Sequence, residues 1–123
     1  RINEAQGVVY LGHVSDAVRL YTMAHAAAFV QPSLYEGFGM GVLEAFAASV
    51  PTVISSAPSL PEIAGDAAIA VNPERTDEIV DAPEKVLTDT KVRKHLQESG
   101  CNRLKRFSWD RCARETLAVF ESL

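Results

Sequence analysis

The chain has 123 residues, of which 47% are hydrophobic and 23% charged, and its formal net charge is -4. This length fits about one domain, and the composition favours a packed core over disorder. The acidic balance excludes nucleic acid as the main partner, because phosphate-backbone binding needs a basic footprint.

Val8-Val9-Tyr10-Leu11 is a short apolar run closed by Gly12, the pattern of a buried strand with a turn after it. Ser15 followed by Asp16 predicts an N-cap and a first-turn acid, opening a helix that reaches about His25. Ala26 to Val30 returns to a buried strand, ended by Gln31-Pro32. After a glycine-rich loop, a helix from about Gly41 to Ser49 is small and apolar on nearly every side, which predicts burial. Pro51 opens a strand at Thr52-Val53-Ile54, and Leu60-Pro61-Glu62-Ile63 fits one helical turn with proline at its first position. Ala67 to Val71 is a further strand, stopped by Asn72-Pro73.

Thr76 has the pattern of an N-cap, with Asp77 and Glu78 in the first turn behind it. Pro83 inside that helix costs about 3 kcal/mol, so a kink or a restart is expected there. Val92, Leu96, Leu104 and Phe107 share one face of a helix from about Lys91 to Arg106, which Gly100 weakens by roughly 1 kcal/mol relative to alanine. Ser108 caps a last helix, Trp109 to about Ser122, with Ala113, Leu117 and Phe120 facing inward. About four strands, apolar throughout and alternating with helices, make an α/β domain. Its parallel sheet is covered by helices on both faces and is followed by two C-terminal helices.

The chemistry concentrates between Pro32 and Ala45. Gly37, Gly39 and Gly41 fall within five residues, between a strand and a helix, and Glu36 and Glu44 bracket them. A glycine loop at a helix N-terminus offers free backbone N–H groups to an anion. Carboxylates beside it suit hydroxyl groups. A phosphate-bearing sugar offers both, and in open parallel sheets ligands sit at the carboxyl ends of the strands.

Pro32-Ser33 with Glu36-Gly37-Phe38-Gly39, then Leu43-Glu44-Ala45, Pro51-Thr52-Val53-Ile54 and Pro61-Glu62-Ile63, resembles the group 1 family of retaining glycosyltransferases. The resemblance runs from about Val8 to the final helix and includes Phe107-Ser108-Trp109. It implies the GT-B architecture, two Rossmann-like domains facing across a cleft, with residues 1–123 as the later part of the donor-binding domain and the acceptor domain absent. Carried over by position, Glu36 is implied as the catalytic carboxylate facing the donor sugar. Gly37, Phe38, Gly39, Met40, Gly41 and Val42 are implied to hold sugar hydroxyls and diphosphate through their amides, and Glu44 to accept from the ribose hydroxyls. The implied donor is a nucleotide-diphosphate sugar, and the implied acceptor a carbohydrate or lipid-linked group bound by the absent domain. No metal and no cofactor are expected.

Three departures from the family pattern matter. Gly41 replaces a usual proline, which predicts a less rigid loop. Ser49 replaces a usual glycine, which predicts a helix end without a left-handed cap. The arginine and lysine that clamp the diphosphate in the family have no match here, Arg1 and Arg19 being out of place. This chain alone is therefore expected to be inactive.

Other readings stay open beside these. Within the broad fold an epimerase or phosphorylase competes, and outside the enzymes a nucleotide-sugar-binding or interaction module does. Phe38 is either a plug beneath the loop or a sugar contact, and Glu62 either lines the cleft or pairs with its helix dipole. His13, His25 and His95 have no ligand spacing, although His13 follows a predicted strand and is a candidate cleft residue. Arg103, Lys105, Arg106, Arg111 and Arg114 form either a solvated face or a patch for an acidic partner or an anionic membrane surface. No apolar run approaches the roughly 18 residues of a membrane span, and no secretory signal is evident. Cys101 and Cys112 are too few for a disulfide framework, so free thiols in the cytoplasm are expected. The start at Arg1 rather than Met is expected of a piece cut from something longer.

Overall fold

The computed structural model describes residues 7–123. Its elements are α1 (Asp16–Ala24), β1 (Phe29–Gln31), α2 (Met40–Ala47), β2 (Thr52–Ser55), α3 (Ser59–Ala64), β3 (Ala68–Val71), α4 (Thr76–Thr88), α5 (Thr90–Leu104) and α6 (Trp109–Glu121). The three strands form one parallel sheet in the order β1-β2-β3. Val30 lies opposite Val53, and Val53 opposite Ile69. Because all strands run the same way, the loops that follow them open at one end of the sheet, where ligands of such sheets bind.

Strand β2 is central, and each of its four residues is buried. Successive side chains point to opposite faces, and the two cores divide accordingly. On one face Ile54 packs with Val42 and Phe46 of α2 and with Leu60, Ile63 and Ala64 of α3. On the other, Val53 and Val71 pack with Ala82 and Val86 of α4 and Leu96 of α5. Full burial of one such aliphatic or aromatic side chain is worth about 1.5–3 kcal/mol. Helix α5 serves both layers, since Val92 and Leu96 join the second cluster while Leu104 borders the first.

Several sequence-based expectations change. Val8-Val9-Tyr10-Leu11 forms no strand and its four side chains are exposed. No other described strand offers it a ladder, and an apolar run without a partner has nothing to bury against. Strand β1 starts only at Phe29 and lies at the sheet edge with Val30 exposed, so it is half-covered rather than buried. Helix α2 buries Val42, Ala45 and Phe46 but leaves Met40 and Ala47 exposed, so its apolar residues are not all core. Proline 61 is the third residue of α3, not the first.

Thr76 is the first helical residue of α4 and Arg75 its cap position, with no side-chain cap bond; Glu78 instead accepts from the Asn72 amide at 2.8 Å. Helix α4 runs through Pro83 without a restart. Ser15 and Ser108 do cap α1 and α6, accepting from Val18 and Arg111 respectively. Helix α6 buries no residue, so Ala113, Leu117 and Phe120 do not form an inner face. Among the described residues no helix is long and apolar enough to cross a membrane.

Candidate functional site

The loop after β1 is built from polar side chains that reach it from three elements. The Ser55 hydroxyl, fully buried at the end of β2, donates to the Ser33 carbonyl at 2.5 Å. From α3, the Ser59 hydroxyl donates to the Glu36 carbonyl at 2.7 Å. These two bonds fasten the backbone on either side of Leu34 and Tyr35, whose side chains stay in solvent. The Glu36 side chain is held as well. Its Oε1 accepts from Gln31 Nε2 at 2.7 Å and from Ser33 Oγ at 2.9 Å.

Beyond Glu36 the chain turns through Gly37 and Phe38 into Gly39, which has φ 104° and is the N-cap position of α2. That left-handed conformation suits glycine. Space requires it too, because a Cβ on Gly39 would stand 2.6 Å from Leu60 Cδ2. A glycine N-cap carries no side-chain acceptor, so nothing of that kind covers the first amides of α2. The positive end of the helix is thereby presented at the strand ends. The Val42 amide donates to the Gly39 carbonyl at 3.0 Å and its side chain is fully buried, so Val42 belongs to the scaffold of the loop. Gly41 lies inside the first turn of α2, where a Cβ would come within 3.0 Å of Phe29 and 3.2 Å of Gln31 Oε1.

Phe38 is neither a plug nor free. It is 43% exposed, and its ring meets the Phe107 ring edge-on with centroids 6.3 Å apart. Phe107 in turn lies under the Arg103 guanidinium, 5.8 Å from the ring centre. Arg103 belongs to no solvated face. It donates to the carbonyls of Ile63 at 2.8 Å and Glu62 at 2.6 Å, satisfying the C-terminal end of α3. Glu44, in the second turn of α2, forms an ion pair with Arg19 of α1. Hydrogen bonds that Arg19 donates to Glu44 and then to Asp16 raise its guanidinium above its ordinary range.

A groove of about 1190 Å³ runs from the glycine loop to α6. Phe38, Met40 and Glu44 line it together with Arg103, Phe107 and Trp109. The Glu62 carboxyl residue also borders it, while Glu36 does not. The two glutamates thus do not share one groove. His13 is exposed and follows no strand, and His25 stacks on Tyr21. No three His, Cys, Asp or Glu residues are grouped to hold a metal among the described residues. Cys101 and Cys112 are free and exposed.

Sequence reading singled out Glu36, Glu44 and the glycines but missed what holds them. Gln31, Ser55, Ser59 and Arg19 carry no motif by themselves, and Ser33, although within the motif and three residues before Glu36, was given no role there.

Residues 3–103 match the family described as glycosyl transferases group 1, and the chain belongs to that family. It is 40% identical over 114 residues to O-antigen chain mannosyltransferase B from Escherichia coli, spanning 93% of this chain and 30% of that protein. It is 35% identical over 112 residues to the MMP alpha-(1->4)-mannosyltransferase of Mycolicibacterium hassiacum, spanning 88% of this chain and 27% of that relative. The chain therefore spans less than a third of the length of these curated relatives. In fold it is similar to a sucrose-phosphate synthase from Thermosynechococcus elongatus. The TM-score is 0.80 at 23% identity, over 93% of this chain and 29% of that one. The expected α/β class, with a parallel sheet between helical layers and a GT-B relative, stands.

Proposed function

We propose that these residues form the donor side of a retaining, metal-independent glycosyltransferase, acting within a longer polypeptide whose other parts bind the acceptor. The donor is a nucleotide-diphosphate sugar and the acceptor a carbohydrate or lipid-linked hydroxyl. The observation that carries this is the placement of Glu36: a carboxylate held through one oxygen, in the loop that leads into a helix N-terminus that no side chain caps. Family membership supports the reaction class, and the relatives' names put mannosyl donors first among those to test.

In this reading the bond between the anomeric carbon and the diphosphate breaks, and the acceptor oxygen bonds on the same face. The acceptor proton leaves with the diphosphate. Negative charge grows on the leaving group, and the N-terminal amides of α2 are preorganised to meet it. Glu36 faces the reacting sugar through its unbound oxygen. Glu44 accepts from the ribose hydroxyls, which requires it to keep an acceptor free of Arg19.

In the full-length protein, Glu36→Ala should lower transfer from GDP- or UDP-linked mannose by orders of magnitude with an unchanged circular dichroism spectrum. Normal turnover in that variant would remove Glu36 from the reaction. Loss of turnover with donor affinity kept separates an enzyme from a binding module.

A further inference from the structure

Gln31 sits at the end of β1 with its amide buried under the first turn of α2. Its Nε2 donates to Glu36 Oε1 at 2.7 Å, while its own Oε1 is buried with no hydrogen-bond partner. A buried acceptor left unpaired costs about 1–3 kcal/mol. The amide cannot relieve that cost by flipping, since this would aim its oxygen at the Glu36 carboxylate. A Cβ on residue 41 would stand 3.2 Å from that orphan oxygen, so the glycine there eases the fit of the amide. The glutamine thus leaves one polar atom unpaired while its amide nitrogen makes one contact, with Glu36.

We infer that Gln31, seconded by Ser33, is a positioning residue for Glu36: it fixes the carboxylate through Oε1 and leaves Oε2 as the oxygen that faces the donor sugar. This rests on the proposed glycosyl transfer. Ser33 completes the pair at 2.9 Å, and the Ser55 hydroxyl holds Ser33 by its carbonyl, so both donors stand on fixed backbone. A carboxylate with one oxygen doubly bonded is restricted to one rotamer, and small displacements at a reacting centre cost up to about 100-fold in rate.

Replacing Gln31 with methionine tests this, because methionine keeps the length, loses the donor and also removes the orphan acceptor. A purely structural glutamine predicts lower stability and an unchanged kcat for Gln31→Met. A positioning glutamine predicts the opposite split: a melting temperature equal to or above wild type, kcat down about 10- to 100-fold, and the KM for GDP- or UDP-mannose unchanged. Ser33→Ala should lower kcat in the same direction. In the full-length protein, Gln31→Met with wild-type kcat, or with a raised donor KM alone, overturns the proposal. Combining Gln31→Met with Glu36→Gln isolates the route. Losses that simply add would mean that Gln31 does not act through Glu36. The two readings fail separately. Full turnover by Glu36→Ala removes the catalytic role of Glu36 itself, whereas an inactive Glu36→Ala beside a fully active Gln31→Met removes only the role of Gln31.

Discussion

Ser49 has φ 57°, in the left-handed region that non-glycine residues rarely enter. It follows the C-cap of α2, and its amide donates to the Phe46 carbonyl at 3.0 Å while the Val50 amide reaches back to Ala45 at 2.9 Å. That pair of bonds is a Schellman cap built on serine. The expectation that α2 lacks a left-handed cap is therefore overturned. The cap forms because Val50, Ala45 and Phe46 are buried together and Gln97 holds the Ser49 carbonyl at 2.9 Å, and this outweighs the strain. The left-handed conformation costs an L-residue roughly 1–2 kcal/mol, and glycine returns part of that gain through its freer unfolded chain. Ser49→Gly should thus raise stability by about 0.5–1 kcal/mol, read as a higher urea midpoint with unchanged m. The lost contact between Ser49 and the exposed Cys101 thiol, 3.3 Å away, is too weak to reverse the sign. At Glu44 the decisive comparison is between its bond to Arg19 and ribose contacts. The ion pair is partly exposed and screened by solvent, so in the proposed role a nucleotide can compete for it. Glu44→Ala in the full-length protein should weaken nucleotide affinity by calorimetry with kcat little changed, and unchanged affinity would exclude the ribose role.

At the scale of helix against helix, α5 packs directly on α2. Gly100 is buried in α5, and a Cβ there would stand 2.7 Å from Cδ1 and 3.2 Å from Cγ of Phe46, a ring that is itself buried. By propensity alone Gly100→Ala should stabilise α5 by about 1 kcal/mol. Overpacking a filled core typically costs about 1–3 kcal/mol, and the Phe46 ring lies within that core. The variant should therefore lower the urea midpoint, and a raised midpoint would mean that the two helices can part. This glycine shows where sequence reading stops. Its helical cost was legible, but its reason was a ring 54 residues away in the chain. Strands β2 and β3 and helix α2 were legible because apolar runs with Pro, Gly and Asn punctuation need only local rules. The capping serines Ser15 and Ser108 were legible for the same reason. Val8 to Leu11 had an equally good local pattern and failed, because a strand exists only with a neighbour to pair with. Thr76 failed as a cap because the helix begins one residue early, with Arg75 in the cap position. At the site the glycines and glutamates were legible, while Gln31 and Ser55 act through folded proximity alone.

Over the whole molecule, burial is concentrated around β2 and falls away toward both ends of the chain. Residues 42–71 hold most of the buried side chains, and α1 and α6 bury none. Helix α6 keeps its Ser108 cap and an Arg111–Glu115 pair at 2.7 Å, yet Trp109 is 78% and Phe120 69% exposed. Thirteen residues held by a cap and an exposed ion pair are marginal as a helix in water, since isolated helices below about 12–15 residues rarely persist. Stability should therefore be graded. Native-state hydrogen exchange on this chain should find the amides of Val53 and Ile54 among the slowest, opening only with global unfolding. The amides of α1 and α6 should exchange through local fraying, far faster than those of β2, and their rates should be insensitive to Ser49→Gly while the β2 rates slow. If α6 amides instead exchange as slowly as β2 in dilute solution, the helix is coupled to the core and the gradient does not exist. If they slow only as protein concentration rises, a second copy is covering the apolar face that Leu117 and Phe120 leave open. The same measurement bears on the site, because the loop at Glu36 is tied to β2 by Ser55 and to α3 by Ser59. Those bonds join the loop to core elements and not to α6, so fraying of α6 should leave the Glu36 loop, and the donor role proposed for it, in place.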